Sequence, residues 1–87
     1  MNLVKRKLPP SSKSEIDWTG VGRRIRELRG FDANQAEFAR EIGISQGQLS
    51  KYEKGHSEIG ATVLLRLARK SGKTIEWLLT GSDQNFK

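Results

Sequence analysis

The stretch Asn34–Gly55, NQAEFAREIGISQGQLSKYEKG, decides the fold. Asn34 is a good helix N-cap, and Glu37, three residues on, completes a capping box. Phe38, Ala39 and Ile42 form one inward stripe at helical spacing. Gly43 follows the last turn, where a left-handed residue is needed and glycine fits without strain. Ser45 then caps a second helix, with Gln48 completing another capping box. Leu49 and Tyr52, three apart, point inward, and Gly55 ends the helix. The stretch predicts two short helices joined by a sharp turn at Gly43, a rigid elbow.

Working outward, the residues before the elbow predict a helix over about Val21 to Arg29. Val21, Ile25 and Leu28 recur at i, i+4 and i+7 and face the core, and Gly30 marks the stop. Thr19 or Gly20 precedes that helix. Beyond the elbow, Val63, Leu64, Leu67 and Ala68 predict a fourth helix over about Ala61 to Lys70, ended by Gly72. Thr74 caps a short fifth helix, Ile75 to Leu79, closed by Gly81. No strict apolar alternation occurs, so no strand is predicted. Five short helices with brief loops make one compact all-α domain. We place it at residues 15–81, after a disordered basic arm at 1–14 and before a loose tail at 82–87. Pro9-Pro10 and Ser11-Ser12 keep the arm from forming helix or strand.

The 87 residues allow one domain and one small core. There is no cysteine, which excludes disulfides and thiolate metal sites. The single histidine cannot form a metal cluster by itself, so no cofactor or metal is expected. No nucleophile–base pair and no glycine-rich phosphate loop is visible, and the carboxylates are scattered singly, which argues against an enzyme and against a small-molecule substrate. No apolar run approaches the ~20 residues of a membrane span. The N-terminus lacks the apolar stretch of a secretory signal. These features point to the cytoplasm. The net charge of +6 fits a polyanionic partner. Residues 1–13 hold four of the basic side chains and no acid, so residues 14–87 carry only +2.

The exposed side of the third helix carries the chemistry. With Leu49 and Tyr52 turned inward, Gln46, Gly47, Ser50 and Lys51 face out, flanked by Gln48 and Lys54. Glutamine can bond bidentately to an adenine edge, lysine can reach guanine O6 and N7, and serine bonds to several bases. Such residues are equally ordinary on a solvated face; the preceding turn is what favours DNA. Gly47 costs helix stability, ~1 kcal/mol relative to alanine. Close approach to DNA and plain tolerance both account for it. Gln35 stands at a helix start, where free N–H groups attract phosphate. Glu53, a lone acid beside this face, needs a cation, and Arg29 is the candidate. Trp18 and Trp77 read as core or interface anchors rather than stacking platforms. His56 reads as an exposed loop residue that can touch phosphate.

The blocks VGRRIRELR, NQAEFAREIGISQGQLSKYEKG and TVLLRLARKSGKTIEWLLTG resemble the phage repressor and Cro type of helix-turn-helix domain, the XRE family. The resemblance covers about Val21 to Gly81. Its specific part places Gln35, Ala39, Gly43, Ser45, Ser50, Glu53 and Gly55 where the family pattern has them. It implies a lambda-repressor-like fold, with residues 45–53 as recognition helix and Gln46, Gly47 and Lys51 toward bases, to which we add Ser50 from the same outward face. It implies a phosphate contact from Gln35, matches Gln48, Lys54 and His56 to backbone-touching positions and matches Arg29 to an arginine paired with Glu53; Asn34, Ser45 and Arg29 complete the phosphate-contacting set we expect. It further implies a transcriptional regulator, a repressor acting on a palindromic operator as a homodimer, associated with the nucleoid when bound to double-stranded DNA. An antitoxin, a restriction-modification controller and a protein-interaction module that has lost DNA binding remain alternatives. The sequence departs from the pattern at three places. The Arg29–Gln35 connection is one residue short, Ile59-Gly60 replaces Pro-Ser, and Ser71 and Lys73 stand at usually apolar positions.

Overall fold

The computed structural model describes residues 15–31 and 33–82. The predicted arm at 1–14 and all of the tail except Ser82 lie outside the described residues. Five helices follow in chain order: α1 Trp18–Arg29, α2 Gln35–Glu41, α3 Gln46–Lys54, α4 Ala61–Ser71 and α5 Ile75–Thr80. Among the described residues there is no strand. The all-α five-helix architecture is the one the periodicity predicts.

The caps work as the side chains dictate. Asn34 Oδ1 accepts from the Glu37 N–H at 2.8 Å, Ser45 Oγ from that of Gln48 at 3.1 Å, and Thr74 Oγ1 from that of Trp77 at 2.9 Å. Each satisfies a donor that the first helical turn leaves without a partner. Gly43 sits at φ 76°, and the Ile44 N–H bonds back to the Ala39 carbonyl at 2.9 Å, closing α2 and aiming the chain into α3. Arg66 of α4 donates from Nη1 to the Ile42 carbonyl at 3.2 Å, tethering the turn from behind.

The core is Val21, Ile25, Phe38, Ala39, Ile42, Leu49, Tyr52, Ile59, Leu64, Leu67 and Leu78, all buried. Helix α1 packs on α3 and α5, α2 on α3, and α4 on α5. Trp18, Trp77, Leu28, Val63 and Ala68 lie partly buried against this core.

The first helix departs most from expectation. It begins at Trp18, not Val21, and its N-cap position is Asp17 rather than Thr19 or Gly20. Two glycines that disfavour helix by propensity are drawn in by packing, since Gly20 and Gly22 are both buried. At Gly22 a Cβ would meet the Tyr52 carbonyl oxygen and lie 2.5 Å from that of Glu53. The backbone of α1 thus rests directly on the last turn of α3. Gly55 does the same from the other side. It sits at φ 76°, and a Cβ there would lie 2.6 Å from Thr19 Cα. Helices α4 and α5 each run one residue past expectation, to Ser71 and Thr80. At their junction Ser71 is half-buried but bonded, its Oγ donating to the Ala68 carbonyl at 3.5 Å and accepting from the Lys73 N–H at 3.1 Å. Lys73 Nζ lies 4.9 Å from the Trp77 ring centroid. Polar residues therefore fill this junction without leaving an apolar position vacant. Ile59 is buried, and Gly60 starts α4 with an extended backbone and no side-chain cap.

Candidate nucleic-acid interface

Helix α3 buries Leu49 and Tyr52 and presents its other sides outward. Gln46, Gly47, Lys51 and Lys54 are exposed, as is Ser45 at the cap, while Gln48 and Ser50 are half-buried. The chain enters this surface through the Gly43 turn and leaves it at Gly55, where the His56 N–H bonds to the Lys51 carbonyl at 2.9 Å. His56 is exposed beyond that turn. Asn34 is exposed at the start of α2, and Gln35 beside it is half-buried.

Behind this face lies a network centred on Glu53. Arg29 of α1 grips its carboxylate with both arms of the fork, Nε to Oε2 at 2.7 Å and Nη2 to Oε1 at 2.9 Å. Gln35 of α2 donates from Nε2 to Oε1 at 2.9 Å. Arg29 Nη1 also donates to the Ala33 carbonyl at 3.1 Å, fixing the loop before α2. The Glu53 side chain is 5% exposed and that of Arg29 15%. Burial pushes the Glu53 carboxyl upward, but the hydrogen bonds from Arg29 and Gln35 and the charges of Arg29 and Arg26 outweigh it and hold it below its ordinary range. Its hydrogen bond to Glu53 raises the Arg29 guanidinium above its own. Both groups are therefore charged at neutral pH. One carboxylate thus joins three helices and sets the angle between α2 and α3.

Gln35 completes the network forward. Its Oε1 accepts from Gln46 Nε2 at 3.4 Å, a long bond that steadies the first outward side chain of α3. The sequence had assigned Gln35 only to phosphate, and its bond to Glu53 went unread. Arg29 had two expected roles. The guanidinium is engaged by Glu53 and Ala33, and a phosphate contact is left to the small part of it that stays accessible.

Gly47 is informative because nothing surrounds it. A Cβ there would meet nothing within 4 Å, so the isolated fold does not require glycine. The outward set offers amide donors and acceptors, a hydroxyl and two ammonium groups. No acid lies among them, since Glu53 is turned inward. Such a face can read base edges and pair with phosphates. Among the described residues no group of three or more His, Asp or Glu is placed to hold a metal, and no helix is long and apolar enough to cross a membrane.

Sequence reasoning missed Gly22. Glycine inside an otherwise good amphipathic pattern was the available signal of close backbone approach. It also passed over Phe31, which stands fully exposed in the α1–α2 loop.

Comparison with known proteins places these features in context. Residues 23–78 match the family model HTH_3, described as helix-turn-helix. The chain is 35% identical over 52 residues to an uncharacterised HTH-type transcriptional regulator of Haemophilus influenzae, spanning 60% of this chain and 22% of that one. It is 39% identical over 51 residues to the antitoxin PezA of Streptococcus pneumoniae, spanning 58% and 32%. The chain therefore covers about a fifth to a third of the length of these curated relatives. Its fold is similar to that of the P22 c2 repressor solved with a synthetic operator, with TM-score 0.66 and 28% identity over 71% of this chain and 96% of that one. It is also similar to the restriction-modification controller C.AhdI of Aeromonas hydrophila, with TM-score 0.63, 25% identity and coverage of 71% and 96%.

Proposed function

Because this chain belongs to the helix-turn-helix family HTH_3, we propose that it regulates transcription by binding a specific double-stranded DNA site through α3. The observation that carries this is the Glu53 network, which holds α2 and α3 at a fixed angle while the outer face of α3 stands free. Gln46, Gly47, Ser50 and Lys51 face the bases in the major groove. Asn34, Gln35, Ser45, Gln48, Lys54 and His56 contact phosphates, with Arg29 helping from behind. Phosphate contacts supply position and much of the affinity, and the base contacts supply the choice of site.

The protein acts as a repressor on a palindromic operator, as a homodimer in the cytoplasm. Two-fold symmetry then spaces the half-sites about 34 Å apart, one DNA turn. Support comes from the fold's similarity to the P22 c2 repressor solved with operator DNA. Selection of bound sites from random DNA tests the whole reading at once. The expected outcome is a single enriched motif with two-fold symmetry and one-turn spacing. Recovery of no motif from protein of native thermal stability refutes it.

A second reading keeps the same DNA contacts in an antitoxin or a restriction-modification controller. Similarity to PezA and to C.AhdI favours it. A toxin or endonuclease gene adjoining this one, with co-purification of its product, separates this reading from the first.

A further inference from the structure

The corner between α1 and α2 carries a surface that the reading above leaves unused. Phe31 is fully exposed there. Beside it an open cavity of about 540 Å³ is lined by Arg23, Arg26, Glu27, Arg29, Gly30 and Phe31. Arg23 and Arg26 are exposed, and among the described residues neither forms an ion pair. They lie three apart on α1, adjacent on one side of it. Arg29 is neutralised by Glu53, which leaves Arg23 and Arg26 against Glu27, so among the described residues the cavity wall keeps a net positive charge. A lone exposed phenyl is ordinary on a protein surface. Here it stands with unpaired arginines, and the place matters more. Arg29 in the cavity wall is bonded to Glu53, which is bonded to Gln35 at the start of α2. The cavity therefore borders the proposed phosphate-binding edge of the elbow.

We infer that this corner is a second DNA contact. Arg23 and Arg26 pair with phosphates flanking the groove that α3 occupies, and Phe31 lies against the sugar edge of the neighbouring minor groove. The inference rests on the DNA-binding reading given above. The guanidinium fork matches a phosphate bidentately, and each such contact releases counterions. Minor grooves border every major groove and accept apolar side chains that would otherwise stay in water.

The test uses the full chain and fluorescence-labelled duplexes carrying the selected site, one with long flanks and one trimmed to the site itself. Each phosphate contact steepens the log–log salt dependence by about 0.9. Between about 50 and about 200 mM salt the wild type should lose about tenfold more affinity for the long duplex than a double variant, Arg23→Gln with Arg26→Gln. Phe31→Ser should weaken binding to the long duplex several-fold with little change in salt dependence. Trimming the flanks should erase both differences. All three side chains are exposed, so melting temperatures should match the wild type. Lys51→Ala, read in the same titrations, reports on α3 separately. If Lys51→Ala weakens binding while the corner variants behave as wild type on both duplexes, the corner faces away from DNA, as a protein-docking surface would, and the inference is overturned. If the wild type binds neither duplex, the DNA reading falls and takes this inference with it.

Discussion

Replacing Gly22 with alanine tests how the elbow is seated on the rest of the fold. The added Cβ would collide with the Tyr52 carbonyl oxygen and lie 2.5 Å from that of Glu53, where ordinary contact begins at 3.4 Å, so α1 and α3 must part by at least about 0.9 Å. The obstacle is backbone on both sides, and no side chain can swing away. Overpacking of this kind costs roughly 1–3 kcal/mol. Alanine's better helix propensity returns roughly 0.5–1 kcal/mol. A net loss of about 1–2 kcal/mol should remain. For a domain of this size each kcal/mol moves the midpoint by roughly 4–8 °C, so the melting temperature should fall by about 5–15 °C. Circular dichroism during heating measures it. DNA affinity should fall further than the stability change requires, because the same shift draws Glu53 away from Arg29. A Gly22→Ala protein that melts at or above the wild-type temperature would refute the close-approach argument.

The remaining expectations concern the site itself. Gly47→Ala meets open space, so thermal unfolding should show a gain of up to ~1 kcal/mol. If α3 lies against DNA at this residue, the same variant should bind its site more weakly, and unchanged affinity would remove Gly47 from the contact set. Lys51→Ala should cost ~1–3 kcal/mol of binding and relax the choice at one base position, seen by titrating operator variants; an equal loss on every variant would mark Lys51 as a phosphate contact. Glu53→Gln leaves the Arg29 charge without its partner and should destabilise the fold by roughly 1–3 kcal/mol, less than a fully buried pair because Arg29 keeps some water. The pH dependence has a definite sign. The folded carboxyl titrates below its ordinary value of 4.5, so its stabilisation is complete above that pH and is lost as pH falls through the lower, folded value. Denaturant titrations across acidic pH should show this loss in the wild type, and a weaker one in Glu53→Gln.

The parts of the fold that local chemistry controls were legible. Asn34, Ser45 and Thr74 announce helix starts because their side chains accept from the backbone three residues on. Gly43, Gly55, Gly72 and Gly81 announce the ends, and all four sit at positive φ. The start of α1 was not legible, because Thr19 and Gly20 read as residues preceding the helix, whereas the fold buries Gly20 within its first turn. The Arg29–Glu53 pair could be posed from the sequence as a lone acid in need of a cation. The third ligand of that carboxylate, Gln35, could not, since a side-chain amide gives no sign of which neighbour it will choose. Phe31 illustrates a different failure. It belongs to none of the periodic stripes and so went unread, and only the fold shows it fully exposed.

The carboxylate shared by α1, α2 and α3 separates two jobs within one short helix. Inward positions maintain the scaffold, whereas the Lys51 side chain stands exposed and a Cβ at Gly47 would meet nothing within 4 Å. If these positions read DNA as proposed, such a division lets a lineage rewrite the address it recognises by exchanging a few surface letters while architecture and folding stay intact. Gln46 is the exception, since its link to Gln35 ties it to the frame, and if it also reads DNA any change there is a negotiation between the two.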